Sequence, residues 1–272
     1  MLLIPGKMVA RTVRVGGDVR LDYVDQGDPH ARPVVLLHGV TDSWPSFTSV
    51  LAHLPESVRA IAVSLRGHGD STRPASGYAM TDFAGDIRAV LDALAIPRGI
   101  VVGHSMGSLV AQRFAIAFPD RTAGLVLMGS TPAAARNAIV RQLWTDAVST
   151  MTDPVDRAFV TAFQQSTVAR PTPAGLIDAA VQESLKVPAR VWRASFEAML
   201  TTDHSADLYR IAAPTLIAWG TRDAIFGRDE QIAMQAAIPN SRVLPYAGGG
   251  HAFHWEDPFR FAADLAAFHR SL

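Results

Sequence analysis

The chain has 272 residues, 49% hydrophobic and 18% charged, which is the make-up of a compact folded protein and not of a disordered one. Its 25 Lys and Arg balance its 25 Asp and Glu, so no global basic field exists to attract nucleic acid or anionic lipid. Cysteine is absent, which excludes disulfides, thiolate nucleophiles and Cys-ligated metals, and no apolar run reaches the length of a membrane span.

The opening MLLIPGKMVA holds a short apolar stretch broken by Pro5 and Gly6. It lacks the basic start and long apolar core of a signal peptide, so a cytoplasmic location is expected. Val9–Val15 and Val19–Val24 alternate in polarity and meet at Gly16-Gly17, which predicts an antiparallel hairpin with one wet face. The pattern then changes. Val34–Leu37, Ala60–Val63, Ile100–Val102 and Leu125–Met128 are continuous apolar runs, as in parallel strands covered on both faces.

Between these runs the text is helical. Ser46–Leu54 is one segment, and Asp82–Leu94, with Thr81 as its expected N-cap, is a stronger one. Met106–Phe118 is a third, ended by Pro119. Alternating strands and helices predict an α/β fold, a mostly parallel central sheet with helices on both faces. From residue 132 to 209 the text is helical and amphipathic, and strands return at Thr215–Trp219 and Val243–Tyr246. The expected organisation is a core of residues 1–131 and 210–272 with a helical cap, 132–209, inserted over the strand ends where ligands bind in open α/β sheets.

Gly103-His104-Ser105-Met106-Gly107 lies between a predicted strand and a predicted helix. In that context Gly-x-Ser-x-Gly makes a turn sharp enough to strain the serine backbone and expose its hydroxyl at a helix N-terminus. Ser105 is therefore the candidate nucleophile. A serine alone is a poor nucleophile and needs a base and an orienting acid. After a serine elbow these arrive in the order acid, then histidine, each following a strand. Thr215–Trp219 runs into Asp223, and Val243–Tyr246 runs into Gly248-Gly249-Gly250-His251.

The bland alternatives are an N-cap role for Asp223 and a solvated loop for His251. The end of Leu125–Met128 reads Gly129-Ser130-Thr131 and offers no carboxylate. His254 competes as base, but His251 directly follows the glycines; His254 is expected to pack with Phe253 and Trp255 or to cap the helix near Asp257. The backbone N–H groups of Val40 and Met106 are the candidate oxyanion donors. His38 reads as a structural histidine. Gly39, His104, Trp144, Trp192 and Phe226 are the candidate substrate-binding residues.

Together, His38-Gly39, Arg66-Gly67-His68-Gly69-Asp70-Ser71, the Ser105 elbow, Trp219-Gly220-Thr221-Arg222-Asp223 and Gly250-His251 with Glu256-Asp257-Pro258 resemble the α/β-hydrolase fold family. Within it they are similar to the lid-bearing serine esterase and lactonase branch. The resemblance implies that Arg66–Ser71 braces the active-site face, and Gly227 departs from the proline that many relatives carry. The function expected is cleavage of a small, hydrophobic ester or lactone through an acyl-enzyme on Ser105. No cofactor or metal enters that chemistry, and nucleic acid and membranes are not expected partners. A carbon–carbon bond hydrolase or a perhydrolase would use the same triad, and a ligand receptor would keep it with slow turnover. Epoxide hydrolases and dehalogenases of this fold need a carboxylate where Ser105 stands.

Overall fold

Strands apolar on both faces build the centre of the molecule, which a computed structural model describes for residues 8–272. Pro5 and Gly6, on which the reading of the N-terminal stretch rests, lie outside the described residues. The strands are β1 (Arg11–Gly16), β2 (Val19–Gln26), β3 (Pro33–Leu37), β4 (Arg59–Val63), β5 (Gly99–His104), β6 (Thr122–Met128), β7 (Thr215–Gly220) and β8 (Ser241–Tyr246). They form one sheet in the order β1-β2-β4-β3-β5-β6-β7-β8. The β1–β2 and β2–β4 pairs are antiparallel and the rest parallel, so this is the α/β-hydrolase sheet with its N-terminal hairpin.

Strand side chains alternate between two cores. Val35, Leu37, Ile61, Val101, Leu125 and Ile217 face one, and Val34, Leu36, Ala62, Val102, Val126 and Leu216 face the other. Three long helices cover the first face: α2 (Met80–Ala93) and α3 (Met106–Ala117) with much of their apolar surface, and α8 (Arg228–Ala237) through Met234. The second face is covered by α1 (Thr48–Leu51) and by α9 (Phe253–Glu256) and α10 (Pro258–Arg270). Between β6 and β7 run α4 (Ala138–Leu143), a π-helical turn (Trp144–Val148), α5 (Arg157–Ser166), α6 (Leu176–Leu185) and α7 (Ala189–Thr201).

Two local expectations change. The segment around Ser46–Leu54 is a 3-10 turn, Trp44–Phe47, with Pro45 in its first turn, followed by the single α-turn of α1. Helix α2 begins before Thr81: Ala79 occupies the cap, and the Asp82 carboxylate accepts its N–H at 2.9 Å. An acid at the third helical position thus does the capping expected of Thr81. Arg66 makes a two-pronged ion pair with Asp86 of α2, both bonds 2.6 Å, tying the loop after β4 to the helix layer.

Candidate active site

The register aligns Leu37 with Gly103 and His104 with Met128, so parallel strands end together at one edge. From β3 the chain crosses to β4 on one side, and from β5 to β6 on the other. The loops after β3 and β5 therefore diverge and open a crevice, the usual ligand position in such sheets.

Ser105 stands in that crevice with φ 54° and ψ −119°, a strained conformation for a residue with a side chain. Its N–H is held by the Met128 carbonyl at 2.9 Å, and its carbonyl by the Ser108 hydroxyl at 2.6 Å. The flanking glycines are steric necessities. A Cβ on Gly103 would lie 2.1 Å from the Gly107 carbonyl oxygen, and one on Gly107 would lie 2.4 Å from that of Leu37.

Asp223 follows β7 and is enclosed. One carboxylate oxygen accepts the N–H groups of Ile225 at 2.8 Å and Phe226 at 3.0 Å; the other takes His251 Nδ1 at 2.8 Å. Burial pushes this carboxyl up, but His251 and the two amide donors outweigh it and hold it below the usual range. The N-cap alternative falls away, because Gly227 caps α8 and Glu230 accepts the Gly227 N–H.

His251 is buried after β8, with the ring of Phe226 edge-on at 5.5 Å. Its loop is tied down: Ala252 N–H donates to Thr167 O, and Gly250 N–H donates to Glu256, which also accepts from Ala169 and Arg170. With Nδ1 donating to Asp223, the imidazole presents Nε2 as an acceptor, the state a general base needs. Ser105 and His251 line the same cavity of about 50 Å³.

Val40 and Met106 are both buried, and Val40 lines this cavity beside Ser105, which Met106 follows in the chain. Neither N–H has a partner among the described residues. Buried, unspent amide donors are rare, and two of them beside a nucleophile can receive an oxyanion. His38 accepts Leu65 N–H on Nε2 and donates from Nδ1 to Gly39 O, fixing the loop that carries Val40.

Gly39, His104 and Phe226 line the cavity; Trp144 and Trp192 do not. Trp192 is fully buried, with Phe159, Phe163 and Phe196 ring centroids 5.8, 5.5 and 6.3 Å away, and so belongs to the interior of the helical segment. Trp144 sits half-buried in the π-helical turn, packed on the core. The helical segment instead lends Val140, Phe163, Phe196 and Met199 to the cavity. Helical periodicity identifies an apolar face but not the part of it that meets a neighbouring loop. His254 is wholly buried among rings, 4.6 Å from His104 and 5.4 Å from Phe47, while Asp257 caps α10.

Asp42 was not anticipated from the sequence. It lies near Val40 on the loop after β3, lines the cavity and is 4% exposed. An acid closely following His38-Gly39, on a loop bound for the sheet edge, is the signal that would have found it. Among the described residues no group of three or more His, Cys, Asp or Glu side chains is arranged to hold a metal ion, and no helix is long and apolar enough to cross a membrane.

Comparison with known proteins sets this geometry in a family. The family model described as alpha/beta hydrolase fold matches residues 32–258. A non-heme chloroperoxidase of Streptomyces lividans is 29% identical, the match covering 96% of this chain and 99% of that protein. An esterase from Rhodococcus sp. ECU1013 superposes with a TM-score of 0.84 at 30% identity, covering 97% of this chain and 100% of that one. A bromoperoxidase from Bacillus anthracis shares the fold, with a TM-score of 0.87 at 24% identity over 96% of this chain and 100% of its own. On a match of this extent, reaching from before β3 to beyond the glycine-rich loop of His251, the chain belongs to the alpha/beta hydrolase fold family.

Proposed function

We propose that the chain is a serine hydrolase of carboxylic esters or lactones, with Ser105 as nucleophile, His251 as general base and Asp223 as the acid that orients it. The observation that carries this reading is one cavity lined by both a serine on a strained elbow and a histidine whose far nitrogen is held by a buried carboxylate at 2.8 Å. His251 Nε2 takes the Ser105 proton as Oγ attacks the carbonyl carbon. The negative oxygen is received by the N–H groups of Val40 and Met106. His251 then protonates the departing alkoxide, and an acyl-Ser105 ester remains. Water, deprotonated by His251, attacks that ester and releases the acid.

Residues 132–209 act as a lid whose apolar side chains, Phe163, Phe196 and Met199 among them, cover the acyl group and exclude bulk water. The esterase of similar structure supports the choice of ester substrates.

A fluorophosphonate probe tests the reading. Labelling of the wild type and its loss in Ser105→Ala are expected, with p-nitrophenyl ester turnover falling by about 10³-fold or more. Equal labelling of both proteins would overturn the assignment.

A second reading takes hydrogen peroxide in place of water on the acyl-enzyme, giving a peracid, and the chloroperoxidase relative favours it. Acetate- and peroxide-dependent oxidation of bromide, lost in Ser105→Ala, separates it from simple hydrolysis.

A further inference from the structure

Among the described residues Asp42 is the one acidic side chain that lines the catalytic cavity, and the triad has no use for it. Oδ1 accepts a hydrogen bond from Gln164 Nε2 of α5 at 2.9 Å. Oδ2 has no donor within hydrogen-bonding distance among the described residues, although the residue is 4% exposed. Oδ2 is not sealed off but opens to the cavity, and a carboxylate oxygen without a donor in so enclosed a site gains from an arriving one.

Its position is fixed from several sides. Gln164 also donates to Ser184 Oγ of α6 at 2.8 Å, and Ser184 pairs with Thr41 at 3.1 Å. Ser43 donates to Glu183 at 2.7 Å. The loop that carries Val40 is thus riveted to α5 and α6 through Thr41, Asp42 and Ser43. This pre-orients the carboxyl instead of leaving it to rotate into solvent.

A second cavity of about 270 Å³ adjoins the catalytic one, and Asp42 and Trp255 line both. Leu176, Ala179 and Ala180 of α6 line it with Pro45 and make most of its wall apolar, while serine and threonine hydroxyls and Glu183, already held by Lys186 and Ser43, complete it. Trp255 is pinned there by its Nε1, which donates to Ser46 O at 2.9 Å. The arrangement is an apolar chamber, larger than the reacting cavity, with a free carboxyl oxygen at its junction.

We propose that Asp42 determines substrate specificity, and that Oδ2 receives a protonated amine carried on an apolar arm of the ester. The inference rests on the serine-hydrolase reading and names its substrate class. Among the described residues no cation of the chain pairs with Asp42: Lys186 is engaged by Glu183 at 2.8 Å and by Asp70. Burial pushes the Asp42 carboxyl up to about 7, against the pull of Gln164 and the facing His251, and Glu183 adds to the push. An arriving ammonium supplies the missing donor and favours the ionised form. Burial also holds His104 beside this loop neutral, at about 3, and pushes His38 at its start well below its ordinary value.

The test compares aminohexyl acetate with heptyl acetate, in which a methyl replaces the ammonium. The wild type is expected to prefer the amine in kcat/KM, and Asp42→Asn to lower that preference by roughly tenfold or more. The wild-type preference also rises as pH rises through about 7, a readout that needs no variant. A ratio unchanged in Asp42→Asn, or a wild-type ratio flat with pH, overturns the proposal. Thermal stabilisation by hexylamine, compared in wild type and Asp42→Asn, reads binding without catalysis. If neither ester turns over and Ser105 does not label, the hydrolase reading fails, while Asp42-dependent stabilisation would still sustain the amine site. Equal stabilisation of both proteins removes the site.

Discussion

Two histidines three positions apart show how burial divides chemical roles. His251 has Asp223 on Nδ1 and a cavity in front of it. His254 has a ring cage, an unpartnered Nδ1 and a marginal 3.5 Å approach of Nε2 to Ser46 Oγ. Desolvation drives its imidazole well below the ordinary range, so it stays neutral and packs as a ring. His251→Ala is expected to reduce ester turnover by about 10³-fold or more in the folded fraction. His254→Ala should destabilise by about 2–4 kcal/mol in urea unfolding, as deletion of a buried ring does, and leave turnover high in the folded fraction. Gly129 is another residue whose meaning is steric. Its φ is +47°, and a Cβ there would lie 2.8 Å from His251 Nδ1. Gly129→Ala is therefore expected to displace the imidazole from Asp223 and lower kcat by more than it raises KM. Parallel changes in both would contradict that.

Among the elements, the loop after β8 depends on a carboxylate that does not line the cavity. Glu256 ends α9, and its side chain is fully enclosed. It accepts N–H groups from Gly250, Ala169 and Arg170, and pairs with the Arg170 guanidinium at 3.3 Å. It thus ties the His251 loop to the chain leaving α5. Glu256→Ala strands these donors and is expected to cost about 2–4 kcal/mol, with kcat falling as His251 loses its anchor. A drop in thermal midpoint without any change in kcat would mean that the remaining bonds of the loop, Ala252 to Thr167 and Gly248 to Thr221 among them, suffice to place His251. The loop after β3 is fastened to α5 and α6 in the same manner, so the helical segment is hydrogen-bonded to the loops that carry Val40 and His251 alike.

For the molecule as a whole, the buried imidazoles govern acid stability. His38, His68, His104, His204 and His254 are all depressed by desolvation, to about 4 for His68 and His204 and about 3 for His104. Below the ordinary value of 6.5 the unfolded chain takes up protons that the folded chain refuses. Stability is therefore lost as pH falls from 6.5 toward 4. Asp42 acts in the opposite sense, because its folded form holds a proton up to about 7 that the unfolded form releases, and burial also raises the carboxyls of Asp22, Asp86 and Glu230, so the decline is the net of five imidazoles against four carboxyls. Urea midpoints should decline steadily from neutral pH through that window. A flat profile would mean that the imidazoles gain proton-stabilising partners on acidification.

Local pattern determined much of this protein. Continuous apolar runs fix strands that need cover on both faces, and the glycines of 103–107 are dictated by backbone contacts no side chain could survive. Ser105, Asp223 and His251 were legible because each lies in a loop leaving a strand, and parallel strands in register bring their C-terminal loops to one edge. The cover over that edge was decided only by tertiary packing. Trp192 turns inward to its aromatic neighbours while Phe163 and Phe196 also reach the cavity, a choice that an amphipathic face does not encode. The Asp42–Gln164 bond joins residues 122 positions apart, on elements whose separate sequences carry no sign of each other. Periodicity records which side of an element is apolar; which partner covers it, and which polar atom is left facing a cavity, depends on how the covered elements pack.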